Sequence, residues 1–203
     1  MKKVVWIGSL VALALAGTAQ AAGDIEAGKA KAGVCAACHG ADGNGSPANK
    51  LFPKLAGQHP EYIIKQLHDF KANRRTDTTM APMAAPLSDQ DIENLAAYFG
   101  SLERTIGAAD PALVAEGEQL YRAGDSVRGV PPCAGCHGPA GHGNGPAKFP
   151  AINGQTAEYV VKQLKAFRDG TRTNDPNGMM KGVTFMMSDH QIEAVAQYVQ
   201  GLH

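Results

Sequence analysis

The chain has 203 residues, 44% hydrophobic and only 6% aromatic, with 19 basic and 19 acidic side chains. Balanced charge offers no basic face of the kind nucleic acids require, which argues against that class of partner. The 24 glycines and 12 prolines point to many loops, yet fall short of the composition of a disordered chain.

The first element is a leader. Lys2 and Lys3 precede an apolar run from Val4 to Ala16, and Ala19-Gln20-Ala21 supplies the small-x-small pattern of a cleavage site. Residues 1–21 therefore read as a signal peptide, with the mature chain beginning at Ala22 in an exported compartment. The alternative, a retained anchor, would need ~20 apolar residues, and the run is shorter. No later stretch is long and apolar enough to cross a membrane. Without the two leader lysines, 17 basic residues face 19 acidic ones, a formal charge of −2.

An opening helix is expected from Asp24, and it leads to Cys35-Ala-Ala-Cys38-His39. Phe52-Pro53 and Gly57-Gln58 follow, and Tyr62, Ile63, Leu67 and Phe70 then recur at helical spacing. Ser88 and Asp91 have the spacing of a capping box. The closing helix beyond them carries Ile92, Leu95, Ala96 and Phe99 on one stripe. The small-residue stretch Gly107–Pro111 marks a boundary.

Beyond it the same order returns. Cys133-Ala-Gly-Cys136-His137 stands at an offset of 98, Phe149-Pro150 and Gly154-Gln155 at 97, and Glu158–Phe167 at 97 from Glu61–Phe70. Ser188–Tyr198 repeats Ser88–Tyr98 at an offset of 100. The second copy pairs Ser188 with Gln191, carries Ile192, Val195, Ala196 and Val199 on its stripe, and has Gly170 as a helix stop. An opening helix is expected here from Pro111. Gly28 and Gly117 are placed to let each opening helix approach its closing helix near Tyr98 and Tyr198. No segment alternates as a strand would, so the fold is read as all-α. Two tandem domains, 22–107 and 108–203, are expected from an internal duplication.

All four cysteines lie in the two Cys-x-x-Cys-His segments, the signature of covalent c-type haem attachment. Two thiols one turn apart can bond the two vinyl groups of one haem, and the adjoining histidine serves as the proximal iron ligand. A thioredoxin-like pair would need a βαβ context. Zinc ribbons bring their two pairs within ~15–20 residues, whereas 95 positions separate Cys38 from Cys133. Disulfides alone would not require a histidine at the same place twice. Two haems, held by Cys35 and Cys38 and by Cys133 and Cys136, are the reading, with His39 and His137 on the irons.

The sixth ligand is sought among Met80, Met83, Met179, Met180, Met186 and Met187. Met80 and Met180 each stand eight residues before the serine of their capping box, and these two alone are equivalent. Met83 and Met179 are the replacements if the local register slips. Core or loop packing is expected of the four methionines outside the equivalent pair. The carbonyls of Pro53 and Pro150 are candidates to accept the hydrogen bond from the imidazole nitrogen facing away from iron. The alternative for each is a plain loop turn. His59, His68, His142, His190 and His203 have no repeated counterpart and are expected at the solvated surface.

These motifs, with the Phe-Pro…Gly-Gln…Tyr-x-x-Lys-Gln-Leu run, Arg172-Thr-Asn-Asp175 and the closing helices, resemble the dihaem cytochrome c4 family from Ala22 to His203. The resemblance implies two class I cytochrome c domains about a pseudo-two-fold axis with His/Met ligation at both irons. It implies a periplasmic electron carrier rather than an enzyme, soluble or peripherally membrane-attached, a monomer passing electrons from the cytochrome bc1 level to a haem–copper terminal oxidase. The adjacent Met179-Met180 departs from a single ligand position. Two rivals are a haem enzyme, such as a dihaem peroxidase or a thiosulfate-oxidising relative, and a subunit of a larger dehydrogenase.

Overall fold

A computed structural model describes residues 23–203. The expected signal peptide and its cleavage site lie outside the described residues. Ten α-helices follow in order: α1 Ile25–Lys31, α2 Gly33–His39, α3 Pro60–Lys71, α4 Met80–Ala84, α5 Asp89–Ser101, α6 Pro111–Ala123, α7 Ala134–His137, α8 Ala157–Arg168, α9 Met179–Thr184 and α10 Asp189–Gly201. Only isolated β-bridges occur among the described residues, as the lack of alternation predicts. None of the described helices is long and apolar enough to cross a membrane.

The opening helices start where the sequence places them. Asp24 caps α1 by accepting from Ala27 N–H at 2.9 Å, and Asp110 caps α6, which begins at Pro111. Each opening helix packs on its closing helix, α1 on α5 and α6 on α10. The contact needs glycine. A Cβ on Gly28 would lie 2.1 Å from the Asn94 carbonyl oxygen, and one on Gly117 would lie 2.2 Å from that of Ala194. Tyr98 and Tyr198 flank these crossings, their Cβ atoms 2.8 and 2.7 Å from the same positions.

Two separate cores result, one per half. The first gathers Ile63, Leu87, Ile92, Leu95, Ala96 and Phe99. The second gathers Leu120, Tyr121, Val130, Met187, Ile192, Val195, Val199 and Leu202. The two helical stripes read from the sequence form the centre of each, and burial of one such side chain stabilises by about 1.5–3 kcal/mol. Beyond α8, Gly170 takes φ 75° and turns the chain, as a helix stop should.

Both closing helices begin with complete capping boxes, Ser88 with Asp91 and Ser188 with Gln191. They differ in charge. Hydrogen bonds from the Ser88 backbone and hydroxyl, and then Lys31, hold the Asp91 carboxyl down at about 2. A carboxyl depressed on folding contributes stability above its unfolded value of 3.8, and that contribution disappears as pH falls towards 2. The Gln191 amide does not titrate. Replacing Ser188 by Ala should cost about 1 kcal/mol of cap energy at any pH in this range. Asp91→Asn should instead flatten the acid limb of the first half's stability curve between these two values, as measured by denaturation followed at pH 2–5. An unchanged acid limb would contradict this account of the cap.

The two halves meet along α3 and α8, and the contact is reciprocal. Arg75 donates to Gln66 Oε1 of its own half, at 2.7 Å, and to Tyr159 Oη and Gln163 Oε1 of the other, at 3.0 and 2.9 Å. Arg172 mirrors it, donating to Gln163 Oε1 at 2.7 Å, Tyr62 Oη at 3.0 Å and Gln66 Oε1 at 3.1 Å. Residue i bonding j while the equivalent of j bonds the equivalent of i is the mark of a two-fold-related interface. Each guanidinium also stacks on a phenylalanine of its own half, Arg75 on Phe70 and Arg172 on Phe167. Tyr62 and Tyr159 lie on helices, as their spacing predicts, and each hydroxyl accepts from the arginine of the opposite half, since a phenol suits a contact that is apolar on one side and polar on the other.

Candidate cofactor sites around the two Cys-x-x-Cys-His segments

Helix α2 carries Cys35, Cys38 and His39 on seven residues directly after α1. In the second half, Cys133 is the N-cap of the four-residue α7, which carries Cys136 and ends on His137. None of the four thiols is in a disulfide. Cys35 and Cys133, half-buried, each pack against the core of their half. Burial, and secondarily Cys38, pushes the Cys35 thiol up, and burial raises Cys133 to about 11. Both are neutral thiols at pH 7, the form that adds S–H across a vinyl group. Among the described residues no three His, Cys, Asp or Glu side chains converge on one point, so the two cysteine pairs do not close a shared zinc site.

His39 and His137 are the two buried histidines, at 5% and 7% exposure. His39 Nδ1 lies 2.8 Å from the Pro53 carbonyl oxygen, and His137 Nδ1 lies 3.0 Å from that of Pro150. A carbonyl only accepts, so Nδ1 carries the proton and Nε2 presents a lone pair. Burial pushes both imidazoles below their ordinary pKa, against the opposing pull of the proline carbonyls. Neutral imidazole with a fixed tautomer is what an iron ligand needs. Both prolines thus have the role read from the sequence rather than that of plain turns. The other five histidines sit nearer the surface: His59 reaches the His142 carbonyl, His190 pairs with Glu116, His68 faces Asp89, and His203 bonds the Gly201 carbonyl.

The methionines separate by burial. Met80 opens α4 and Met180 is the second residue of α9, each half-buried. Their backbone settings correspond, since α4 packs on α3 and α9 packs on α8. Asp77 accepts from the Thr79 and Met80 amides and so fixes where α4 begins. Met83 and Met179 are each 40% exposed and Met186 is 48% exposed, while Met187 is buried in the second core. Of the four expected in core or loop packing, Met187 lies in the core and Met186 in the turn after α9, whereas Met83 and Met179 stand on helices. Met83 and Met179, on the short helices α4 and α9, and Met186, beyond the end of α9, lie at the surface.

The donors present fit a haem in each half: free thiols at vinyl spacing, an imidazole with Nε2 available, and a thioether at the matching place. Arg104 adds a further match. It donates to the Ala56, Ala151 and Asn153 carbonyls, yet its Nη2 is the one buried side-chain polar atom lacking a partner among the described residues. Burial lowers its pKa to about 10, which leaves the guanidinium charged at pH 7. An anionic carboxylate, such as a haem propionate, suits a donor of this kind. No motif or repeated block of the chain includes this residue.

The pattern of the cytochrome c family matches residues 25–103 and again residues 114–203. Cytochrome c4 of Pseudomonas aeruginosa is 52% identical over 195 residues, 96% of each chain. The crystal structure of reduced recombinant cytochrome c4 from Pseudomonas stutzeri superimposes with a TM-score of 0.86 at 50% identity, covering 90% of this chain and 100% of that one. A thiosulfate dehydrogenase electron acceptor of Thiomonas intermedia is 41% identical over 98% of this chain and 90% of its own.

Proposed function

Since the chain belongs to the cytochrome c family and, within it, to the dihaem cytochrome c4 electron-transfer proteins, with two covalently bound c-type haems, we propose how its own residues serve that role. We assign Cys35, Cys38 and His39 with Met80 to the first haem, and Cys133, Cys136 and His137 with Met180 to the second. The half-burial of Met80 and Met180 beside the exposure of Met83 and Met179 supports this choice. The two haem domains are taken as 22–107 and 108–203.

Each haem, when bound, supplies one reversible electron at its iron. The chain's part is to keep both axial positions filled. The Nδ1–H···O bonds to Pro53 and Pro150 orient the imidazoles, and the soft thioether sulfur favours the reduced metal and raises the potential. Thioether bonds to the four cysteines tether each haem to a core too small to be very stable alone. A carrier whose irons are closed on both sides exchanges electrons and does not turn over substrate.

We place this carrier in the periplasm, exported by a cleaved leader, soluble or peripherally attached to the membrane, taking electrons from the cytochrome bc1 level and delivering them to a haem–copper terminal oxidase. The single observation that carries the electron-transfer reading is the duplicated ligand set in two matching helical frames. A second donor follows from the thiosulfate dehydrogenase electron acceptors among the relatives: a thiosulfate-oxidising enzyme feeding the same haems. Purified protein mixed with bc1 complex and quinol should be reduced at both haems, and a haem–copper oxidase should reoxidise it. Reduction by thiosulfate dehydrogenase with thiosulfate, but not by bc1 complex, would move the donor to the second reading.

A further inference from the structure

The peptide that accepts each histidine's proton bond is itself held by the other half of the molecule. Pro53 C=O and Lys54 N–H belong to one peptide unit. The carbonyl accepts from His39, and the N–H donates to Gln155 Oε1 at 2.9 Å, 101 positions away. Gln155 Nε2 then donates to the Lys54 carbonyl at 3.0 Å, so one amide side chain clamps one residue at both ends. The reciprocal clamp is present. Pro150 C=O accepts from His137, Ala151 N–H donates to Gln58 Oε1 at 2.9 Å, and Gln58 Nε2 donates to the Ala151 carbonyl at 2.9 Å. Gln58, Gln155, Lys54 and Ala151 are all buried, at 5–8% exposure, so water does not compete for these bonds.

We propose that Gln58 and Gln155 are crossed tuning residues: Gln155 of the second half sets the potential of the first haem, and Gln58 of the first half sets that of the second. The physical route is one polarised chain. Accepting the Lys54 N–H draws charge through the peptide onto the Pro53 oxygen and strengthens its bond to His39 Nδ1–H. An imidazole whose proton is pulled harder is a more basic ligand, and it stabilises the oxidised metal. Each clamp therefore lowers the potential of the haem in the opposite half. Because the clamp exists only while the halves are docked, closing the interface and setting the potentials are one event. The inference rests on His39 and His137 being the iron ligands.

The test uses the intact dihaem protein. Ferric wild-type protein first reports, through nitrogen hyperfine coupling, whether imidazole holds each iron; its absence ends the ligand assignment and this inference with it. With imidazole confirmed, Gln155→Met removes the acceptor at nearly constant volume. It should raise the reduced-to-oxidised ratio of the first haem about threefold at fixed potential, which is ~28 mV for a one-electron couple. The second haem should stay unmoved. Gln58→Met should do the converse, with haem methyl resonances assigned to each half by their contacts with α2 or α7. Shifts confined to the half that carries the substitution, or equal in both halves, would overturn the proposal, since loosening of the interface alone gives no crossed pattern. Should either variant fail to fold, wild-type protein labelled with ¹³C at the glutamine carbonyls supplies the readout. Glutamine bands are expected in its redox-difference infrared spectrum, and their absence overturns the proposal.

Discussion

Met180→Ala is expected to leave both haems covalently attached while one iron loses its sixth ligand. That iron becomes high-spin, binds carbon monoxide when reduced, and drops in potential on the order of a hundred millivolts, within the ~0.8 V that axial ligands control. Met80→Ala should do the same to the other haem. Burial and register single out the same two residues. Met80 and Met180 stand at the start of α4 and α9, half-buried, with matching support from α3 and α8. The neighbouring Met179 is 40% exposed. Met179→Ala should accordingly leave the spectra unchanged, and this is the control that separates two adjacent thioethers. A spectral change in the Met179 variant, with none in the Met180 variant, would transfer the ligand by one residue.

The second large effect is on stability. Alanine has a higher helix propensity than glycine, so Gly117→Ala in the middle of α6 should gain about 1 kcal/mol if nothing else changed. The structure predicts the opposite. The added Cβ would meet the Ala194 carbonyl oxygen at 2.2 Å and the Tyr198 Cβ at 2.7 Å, and both belong to a packed helix that cannot yield locally. Forcing α6 and α10 apart opens the second core, a loss of about 3 kcal/mol. For a domain of this size that lowers the melting midpoint by on the order of 15 °C. Gly28→Ala should act likewise on the first half. Thermal melting followed at the haem band checks both, and an unchanged or raised midpoint would contradict the close crossing. Gly182 in α9, where a Cβ meets nothing within 4 Å, is the matched control.

What the sequence revealed and what it hid divide along physical lines. The two haem-attachment segments were legible because covalent haem binding fixes both residue type and spacing, and the duplication filtered chance matches. The helices were legible from Ile92, Leu95 and Phe99 and from their counterparts, because a stripe facing a core must be apolar. The interface was not. Gln58, Gln66, Gln155 and Gln163 are polar, and on a single sequence a polar residue reads as solvent-facing until a partner is known. Arg75 went unread for the same reason, although its counterpart Arg172 stood in a noted motif. Tyr62 and Tyr159 share the helical spacing of their apolar neighbours, which says nothing of the bonds their hydroxyls make across the interface. The one available signal was that these polar residues recur at an offset of 97, as faithfully as the core does. Repetition of residues with no apolar reason to repeat marks a surface that the two halves share.

The most direct test is the mass of the mature protein purified from its natural host and denatured before measurement. Thioether bonds survive denaturation, so the polypeptide should weigh two haems more than its sequence from Ala22 to His203. A mass equal to the bare polypeptide, with four titratable thiols, would contradict attachment of haem in either half.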